Sequence, residues 1–427
     1  MNRYESYKDS GVEWLGDVPS HWDIKKLKHL LNFQTGGTPS SGHALFYDGD
    51  LPWITIADLN GKYTNQTHFI SRHGQKSANI PLTPKGSLLY SFKLSVGQVA
   101  FAHQDLYTNE AIASFLATNN NNLNYYFYML PIFIAKNANK NIYGADILNQ
   151  DLIKNSCLLS IPKAEQTAIA QYLDNKTAKI DQAIMLEEKQ IELLKEHKQI
   201  LIQDAVTKGL NPHVKFKHSG VEWIGEVPEH WEVKKISHVF ERIGSGTTPN
   251  SSDTSYYDGQ INWLQTGDLT DGKIFTTSKT ITYKALKNYS TLKIYPKNSL
   301  VIAMYGATIG KVGLLQIETA TNQACCVLAT THNAVIEFAF YLFKGIKDNL
   351  IAMSYGGGQP NISQDKIKSL RLPFAPLSEQ QKIVQYLDEQ TAKIDLAIQL
   401  KQQQINKLKE YKTVLINDVV TGKVKVA

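Results

Sequence analysis

The residues best suited to chemistry occur in patterns that fall short of a catalytic centre. The segment Gly306-Ala307-Thr308-Ile309-Gly310-Lys311-Val312 has the outline of a phosphate-cradling loop. Such a loop needs four residues between its glycines and a Ser or Thr after the lysine to hold magnesium; here three intervene and Val312 follows Lys311. No Gly-x-Gly-x-x-Gly run follows a predicted strand, so a dinucleotide site is not indicated. Asn211-Pro212 continues as His213-Val214, unlike the Asn/Asp-Pro-Pro-Tyr/Phe segment with which amino-methyltransferases grip a flipped base. Cys157, Cys325 and Cys326 offer neither metal-ligand spacing nor a disulfide framework, and fit a reducing compartment. His21 and His230 stand beside Trp22 and Trp231 at matching places in a repeated loop. A histidine that recurs with its aromatic neighbour reads as a docking feature rather than a general base. The pattern is that of a binding protein.

What positions these residues is a unit written twice, and repeats constrain a fold before motifs do. Ser10–Trp22 recurs as Ser219–Trp231 with three changes, an offset of 209. Tyr47-Asp48-Gly49 and Trp53 match Tyr257-Asp258-Gly259 and Trp263 at an offset of 210. Thr108-Asn109-Glu110-Ala111 matches Thr321-Asn322-Gln323-Ala324 at 213, and Gln150-Asp151 matches Gln364-Asp365 at 214. The creeping offset means small loop insertions in the second copy. The first ~160 residues of each copy mix short β-branched and aromatic runs with Gly, Pro, Asn and Asp, which predicts short strands joined by loops. Ser299–Met304 and Leu314–Ile317 are two such strands. A short aromatic helix is predicted at Leu123–Leu130 and again at Ile336–Phe343, with its rings better suited to core packing than to base stacking.

Each copy ends in a long helix, Lys163–Val206 and Leu377–Val420, free of Pro and Gly and bounded by Pro162 and Gly209, or Pro376 and Gly422. Alternating steps of three and four place Ile180, Ile184, Glu187, Ile191 and Leu194 on one seam, and Ile394, Ile398, Lys401, Ile405 and Leu408 on the other. About 44 residues span roughly 65 Å. Two equivalent halves in one chain imply a pseudo-twofold axis, and so an antiparallel coiled coil. Near its middle Glu187 faces the place of Lys401: either the two charges pair and fix register, or both side chains snorkel to solvent.

Bulk composition is compatible with this reading but does not select it. The 427 residues suffice for two to four domains, and 42% hydrophobic with 20% charged residues excludes a disordered chain. A net charge of +6 has the sign a polyanionic partner needs, without being decisive. The N-terminus lacks the apolar core of a signal peptide, and the longest apolar run, Tyr125–Ala135, is too short for a membrane helix, so a cytoplasmic protein is expected.

The repeated Gly-Val-Glu-Trp-(Leu/Ile)-Gly-x-Val-Pro-x-His-Trp segment resembles the start of a half-unit in specificity subunits of type I restriction–modification systems. Gly36-Gly37-Thr38-Pro39 and Ser245-Gly246-Thr247-Thr248-Pro249 continue the resemblance. So do the helix starts Glu165-Gln166 and Glu379-Gln380, each running on to Tyr-Leu-Asp and Thr-Ala-Lys-Ile-Asp. The resemblance covers both halves, with its motifs in the same order twice.

It implies an α+β protein with two globular target-recognition domains, residues 1–161 and 210–375, separated by spacer helices within 162–209 and 376–427. Each domain would bind half of a split double-stranded DNA site. The helices would dock two methyltransferase subunits, and restriction/translocase subunits would join them. S-adenosylmethionine, ATP and Mg would be bound by those partners, with no cofactor or metal in this chain. A spacer of ~65 Å is less than two duplex turns of ~34–36 Å, so the half-sites would flank an unread gap. Because the recognition halves differ, the whole target would be asymmetric. DNA-contact candidates are Gly36, Gly37, Thr38, Lys93 and Gln98 in the first half. In the second they are Ser245, Gly246, Thr247, Tyr305, Lys311, Gly357, Gln359 and Asn361. Gly356–Asn361 matches a family loop near DNA, where Gln and Asn suit bidentate contact with adenine; the alternative is an ordinary turn. The first half has Asn141–Asp146 there, without that run. The two lysines either meet phosphates or are merely solvated. A fused nuclease or methyltransferase fragment would show a methylase or metal-carboxylate motif. A bare coiled-coil adaptor would not need two dissimilar globular insertions.

Overall fold

The computed structural model describes residues 3–65, 68–93, 95–140, 144, 146–354 and 361–426. The chain forms two compact units, Met1–Leu186 with Gln404–Ala427, and Glu187–Gln403. Both mix short strands and helices, and each receives part of both long helices, Lys163–Lys208 and Leu377–Val420.

In the first unit a four-stranded antiparallel sheet runs in the order Phe33–Thr35, Ile112–Phe115, Leu88–Ser91, Val99–Phe101. A three-stranded sheet centres on Leu51–Ile54, antiparallel to His68–Ile70 and parallel to Tyr107–Thr108. The strands are short because Gly, Asn and Pro interrupt every apolar run, and their inward residues make small separate cores. One such core gathers Ile54, Leu59, Leu89, Ala100 and Ile112. The aromatic helix spans Leu123–Phe133 and buries Leu123, Tyr125, Tyr126, Tyr128, Met129, Leu130 and Phe133. Its exposed edge is capped by packing too: Phe127 stacks on Phe101 at 5.5 Å. These rings belong to the core and are not laid out to meet bases.

The second unit repeats the main sheet and the aromatic helix in the same order, with additions that include a fifth strand and a short helix, Lys347–Ala352. Its main sheet runs Arg242–Gly244, Cys325–Ala329, Leu300–Ala303, Val312–Leu315, and then Gly272–Ile274 as a fifth, parallel strand. In the first unit the described residues at that place form a single parallel bridge, Tyr63 to Phe101. The strand expected at Leu314–Ile317 lies two residues earlier, at Val312–Leu315. The Asp271 carboxylate accepts the Val312 amide at 2.9 Å and starts the strand there. The aromatic helix spans Ile336–Gly345, and its core includes Phe338, Leu342 and Phe343 with Ile202 and Val206 of the first long helix.

In each unit the globular part is closed at its base by pairing of the strand that follows its entry hairpin with its last strand. Asp23–Lys26 lies antiparallel to Cys157–Ser160, and Glu232–Lys235 to Arg371–Phe374. The long helices then begin within a few residues. The first extends to Lys208, two residues beyond the sequence expectation, and stops where Gly209 takes φ +75°. A β-carbon resists that angle, so glycine ends the helix.

Where the long helices meet, ion pairs link them. In the second unit Lys401 Nζ lies 3.0 Å from Glu187 Oε2, and Lys198 Nζ 2.6 Å from Asp395 Oδ2. As one helix advances from 187 to 198 its neighbour falls from 401 to 395, so the segments run in opposite directions there. In the first unit Lys412 Nζ lies 2.7 Å from Asp181 Oδ1. Of the seam residues, Ile180, Ile184, Ile191, Ile394 and Ile405 are buried, while Leu194, Ile398 and Leu408 are half-buried.

Candidate nucleic-acid interface

The Gly-Thr-Pro loops are built as clamps. In the first unit the Gly37 amide donates to Thr108 O at 2.9 Å, and the Trp53 indole donates to Gly37 O at 3.1 Å. The Tyr47 hydroxyl reaches Pro39 O at 2.5 Å. In the second unit Trp263 donates to Thr247 O at 3.3 Å and Tyr257 to Pro249 O at 2.6 Å. A β-carbon on Gly36 would fall 1.8 Å from Thr108 O, and one on Gly246 1.7 Å from Thr321 O. Close backbone approach, the usual reason for glycine beside a ligand, is here satisfied within the chain itself. Gly36, Gly37 and Gly246 therefore have a structural account, and Ser245 stands half-buried beside Gly246. The threonine that emerges from the clamp is Thr38 in one unit and Thr248 in the other, both exposed. Thr247, the sequence candidate, gives its carbonyl to Trp263.

Thr38 Oγ1 donates to the Glu110 carboxylate, and Thr248 Oγ1 donates to Gln323 Oε1 at 2.7 Å. That hydroxyl bond, opposed by partial burial and helped by the charge of Lys93, holds the Glu110 carboxyl below its ordinary range. The neighbouring strand ends are fixed alike. Phe92 N donates to Ala111 O at 3.0 Å and Met304 N to Ala324 O at 2.8 Å, which sets Lys93 and Tyr305 beside the same turn. Both side chains are exposed. Tyr305 bridges Asn361, itself exposed, and Ile362 N donates to Met304 O at 3.0 Å. Four stretches far apart in sequence thus converge on one edge of the second unit, at Thr248, Tyr305, Gln323 and Asn361. Gln98 is exposed on the turn after Lys93, its amide held by Ser91 Oγ at 3.0 Å. Lys311 is half-buried, with its amide on Thr308 O and its carbonyl accepting from Ala303. Gly357 and Gln359 lie outside the described residues.

Other motifs fasten the globular parts to the helices. The buried amide of Gln166 accepts from Asn122 N at 3.0 Å and donates to Ile161 O at 3.0 Å. Gln380 repeats this with Val335 N at 2.8 Å and Ala375 O at 2.7 Å. Each glutamine thus satisfies orphan backbone groups at the start of the aromatic helix and at the end of the closing strand. Glu165 takes His21 Nε2 and the Trp22 indole, both at 3.0 Å, while Glu379 takes His230 Nε2 at 2.8 Å. The histidines dock on the helices.

A further contact was not singled out in the sequence. The buried Tyr128 hydroxyl donates to Asp174 Oδ1 at 2.6 Å, and Tyr341 donates to Asp388 Oδ1 at 2.6 Å. Burial first, then the adjacent carboxylate, pushes both phenols far above their ordinary range. The aspartates are those of the two Tyr-Leu-Asp motifs. Recurrence of both partners, the tyrosines at an offset of 213 and the aspartates at 214, was the available signal. Lys62 Nζ joins Asp174 at 2.7 Å in the first unit, whereas Asp388 makes no ion pair among the described residues.

Nothing in this arrangement supplies a reacting group. Burial pushes the Cys325 and Cys326 thiols up, the latter to about 12. Among the described residues no cluster of His, Cys, Asp and Glu has the form of a metal site, and no helix is long and apolar enough to cross a membrane.

Residues 19–196 and 228–410 match the signature of the type I restriction modification DNA specificity domain. The chain belongs to that family. It is similar to the type I restriction enzyme MjaIX specificity subunit of Methanocaldococcus jannaschii, 24% identical with 96% of this chain and 95% of the relative covered. The fold matches that of a chain solved in work on complex assembly and conformational transition of the type I R-M system. That match has TM-score 0.74 and 14% identity, over 95% of this chain and 99% of the other. The HsdS subunit from Thermoanaerobacter tengcongensis aligns with TM-score 0.55 and 14% identity, over 95% and 98%. As a specificity-subunit family member, the chain is a non-catalytic DNA-recognition component of its restriction–modification system.

Proposed function

We propose that this specificity subunit reads a split, asymmetric double-stranded DNA target, one half-site per globular part, and positions partner subunits on it. Residues 1–161 and 210–375 are then the two target-recognition domains. The long helices within 162–209 and 376–427 form the antiparallel coiled-coil spacer of a pseudo-twofold repeat and dock two adenine-methyltransferase subunits. Restriction/translocase subunits complete the assembly. S-adenosylmethionine, ATP and Mg are bound by those partners, which work on DNA in the cytoplasm.

One observation carries this reading. The fastenings are the same in both units, while the side chains on the presented edge differ. The glutamine clip, the Tyr–Asp bond and the Trp–carbonyl clamp all recur. Lys93 and Glu110 give way to Tyr305 and Gln323. A constant mount with a variable face is what reading two different sequences requires, since contacts to base edges carry the specificity.

Co-expression with the host's modification subunit, followed by mapping of methylated adenines, tests it. A two-part motif with an unread gap is expected, and absence of sequence-restricted methylation with any modification subunit would refute it. Replacing residues 24–158 by the corresponding stretch of another family member should change one half-site only.

A further inference from the structure

We propose that Glu110 and Gln323 are equivalent base-reading side chains, Glu110 selecting a cytosine in one half-site and Gln323 an adenine in the other. The inference rests on the proposed DNA reading and names the position that performs part of it.

Both residues occupy the third place of the repeated tetrapeptide, Thr108–Ala111 and Thr321–Ala324. The other three positions face inward or are engaged. Thr108 and Thr321 are buried, and Asn109 and Asn322 turn back to accept the amides of Ala111 at 3.2 Å and Ala324 at 3.1 Å. Only the third residue of each tetrapeptide is exposed. It is also oriented, because the threonine leaving the Gly-Thr-Pro clamp donates to it. A long side chain held this way loses less rotamer freedom on binding.

The remaining hydrogen-bonding capacity differs between the two in a way that matches bases. An ionised carboxylate has only acceptor sites, and the Thr38 bond uses one of about four. It suits the amino group of cytosine, which presents a donor in the major groove. The Gln323 amide keeps two N–H donors and a second lone pair on Oε1, the pairing that adenine N6 and N7 require.

Charge points the same way. A carboxylate on a face that meets phosphates is repelled unless it is compensated or used. Glu110 lies within electrostatic reach of Lys93, and the corresponding pair in the second unit is neutral, Gln323 with Tyr305. The two positions change together between copies, as neighbours in one recognition surface do.

The test is Glu110→Gln and Gln323→Glu in the full chain assembled with its modification subunits, read as the methylated motif. Each exchange retains the threonine bond, because Gln at one position and Glu at the other already accept it. Glu110→Gln should cut preference for cytosine at one position of its half-site by about 5- to 150-fold, leaving the other half-site unchanged. Gln323→Glu should act reciprocally. A uniform fall in methylation, or both motifs unchanged, overturns the proposal while the two-part reading stands. An unaltered chain that gives no two-part motif overturns both. A second measurement needs no variant: N4-methylcytosine is placed in turn at each cytosine of the half-site assigned to the first domain, in DNA offered to the unaltered complex. Loss of binding at one cytosine is expected, and binding retained at all of them overturns the assignment.

Discussion

Removing a single hydroxyl should distinguish the two globular parts, although the bond it makes is equally short in both. Tyr128→Phe and Tyr341→Phe each delete a buried 2.6 Å bond to a carboxylate. Hydrogen bonds to charged groups contribute about 1.5–3 kcal/mol, and a carboxylate left without a partner costs more than one still served. After Tyr128→Phe, Asp174 keeps Lys62 at 2.7 Å. After Tyr341→Phe, Asp388 has no lysine partner among the described residues, and the 3.4 Å contact of the hydroxyl with Thr391 is lost as well. The expected losses are about 1 kcal/mol in the first unit and about 2–3 kcal/mol in the second. Global unfolding of a chain with two units is not a clean two-state measure, so local opening is the better readout. Hydrogen exchange in Ile336–Gly345 should accelerate by about 30- to 150-fold in Tyr341→Phe, and in Leu123–Phe133 by about 5-fold in Tyr128→Phe. Equal acceleration, or a larger effect in the first unit, would show that Lys62 does not support Asp174 and would refute the reasoning.

The clamp glycines should be intolerant: Gly36→Ala or Gly246→Ala drives a methyl group into a backbone carbonyl that cannot rotate away, costing about 3 kcal/mol or more by thermal unfolding. Glu187→Lys and Lys401→Glu should each destabilise the helix pair and largely rescue one another when combined; a double-mutant cycle should give about 1–3 kcal/mol of coupling. For Thr38→Val the sign follows from Glu110, whose folded carboxyl titrates below its unfolded value of 4.5. The stability that Thr38 lends is present above about pH 4.5 and fades as pH falls through the depressed value, so parent and variant melting curves should converge in acid.

Much of this architecture was legible because the chain states it twice. The second long helix begins and ends where the heptads and punctuation put it, at Leu377 and Val420. The first overran its expected end only to the next glycine. Contacts between distant segments were less legible. Tyr128 and Asp174 are 46 residues apart, and no local pattern announces a bond whose partners are brought together by tertiary packing. The Gly-Thr-Pro loop was visible as a motif, but its glycines serve the chain's own carbonyls. The choice between Thr247 and Thr248 depended on which of them a tryptophan clamps, a matter of backbone path that residue types do not encode.

The strand pairs at the base of each globular part carry one more consequence, in polymer terms. The pair joining Lys26 to Cys157 closes a loop of 131 residues, and that joining Lys235 to Arg371 a loop of 136. The entropy of bringing two ends together grows only with the logarithm of the contour between them, so the five additional residues cost about 0.03 kcal/mol. Interior segments can therefore lengthen, shorten or be replaced almost without cost to closure, provided the two closing strands still find each other. Selection on the mount and selection on the face it presents are thereby uncoupled.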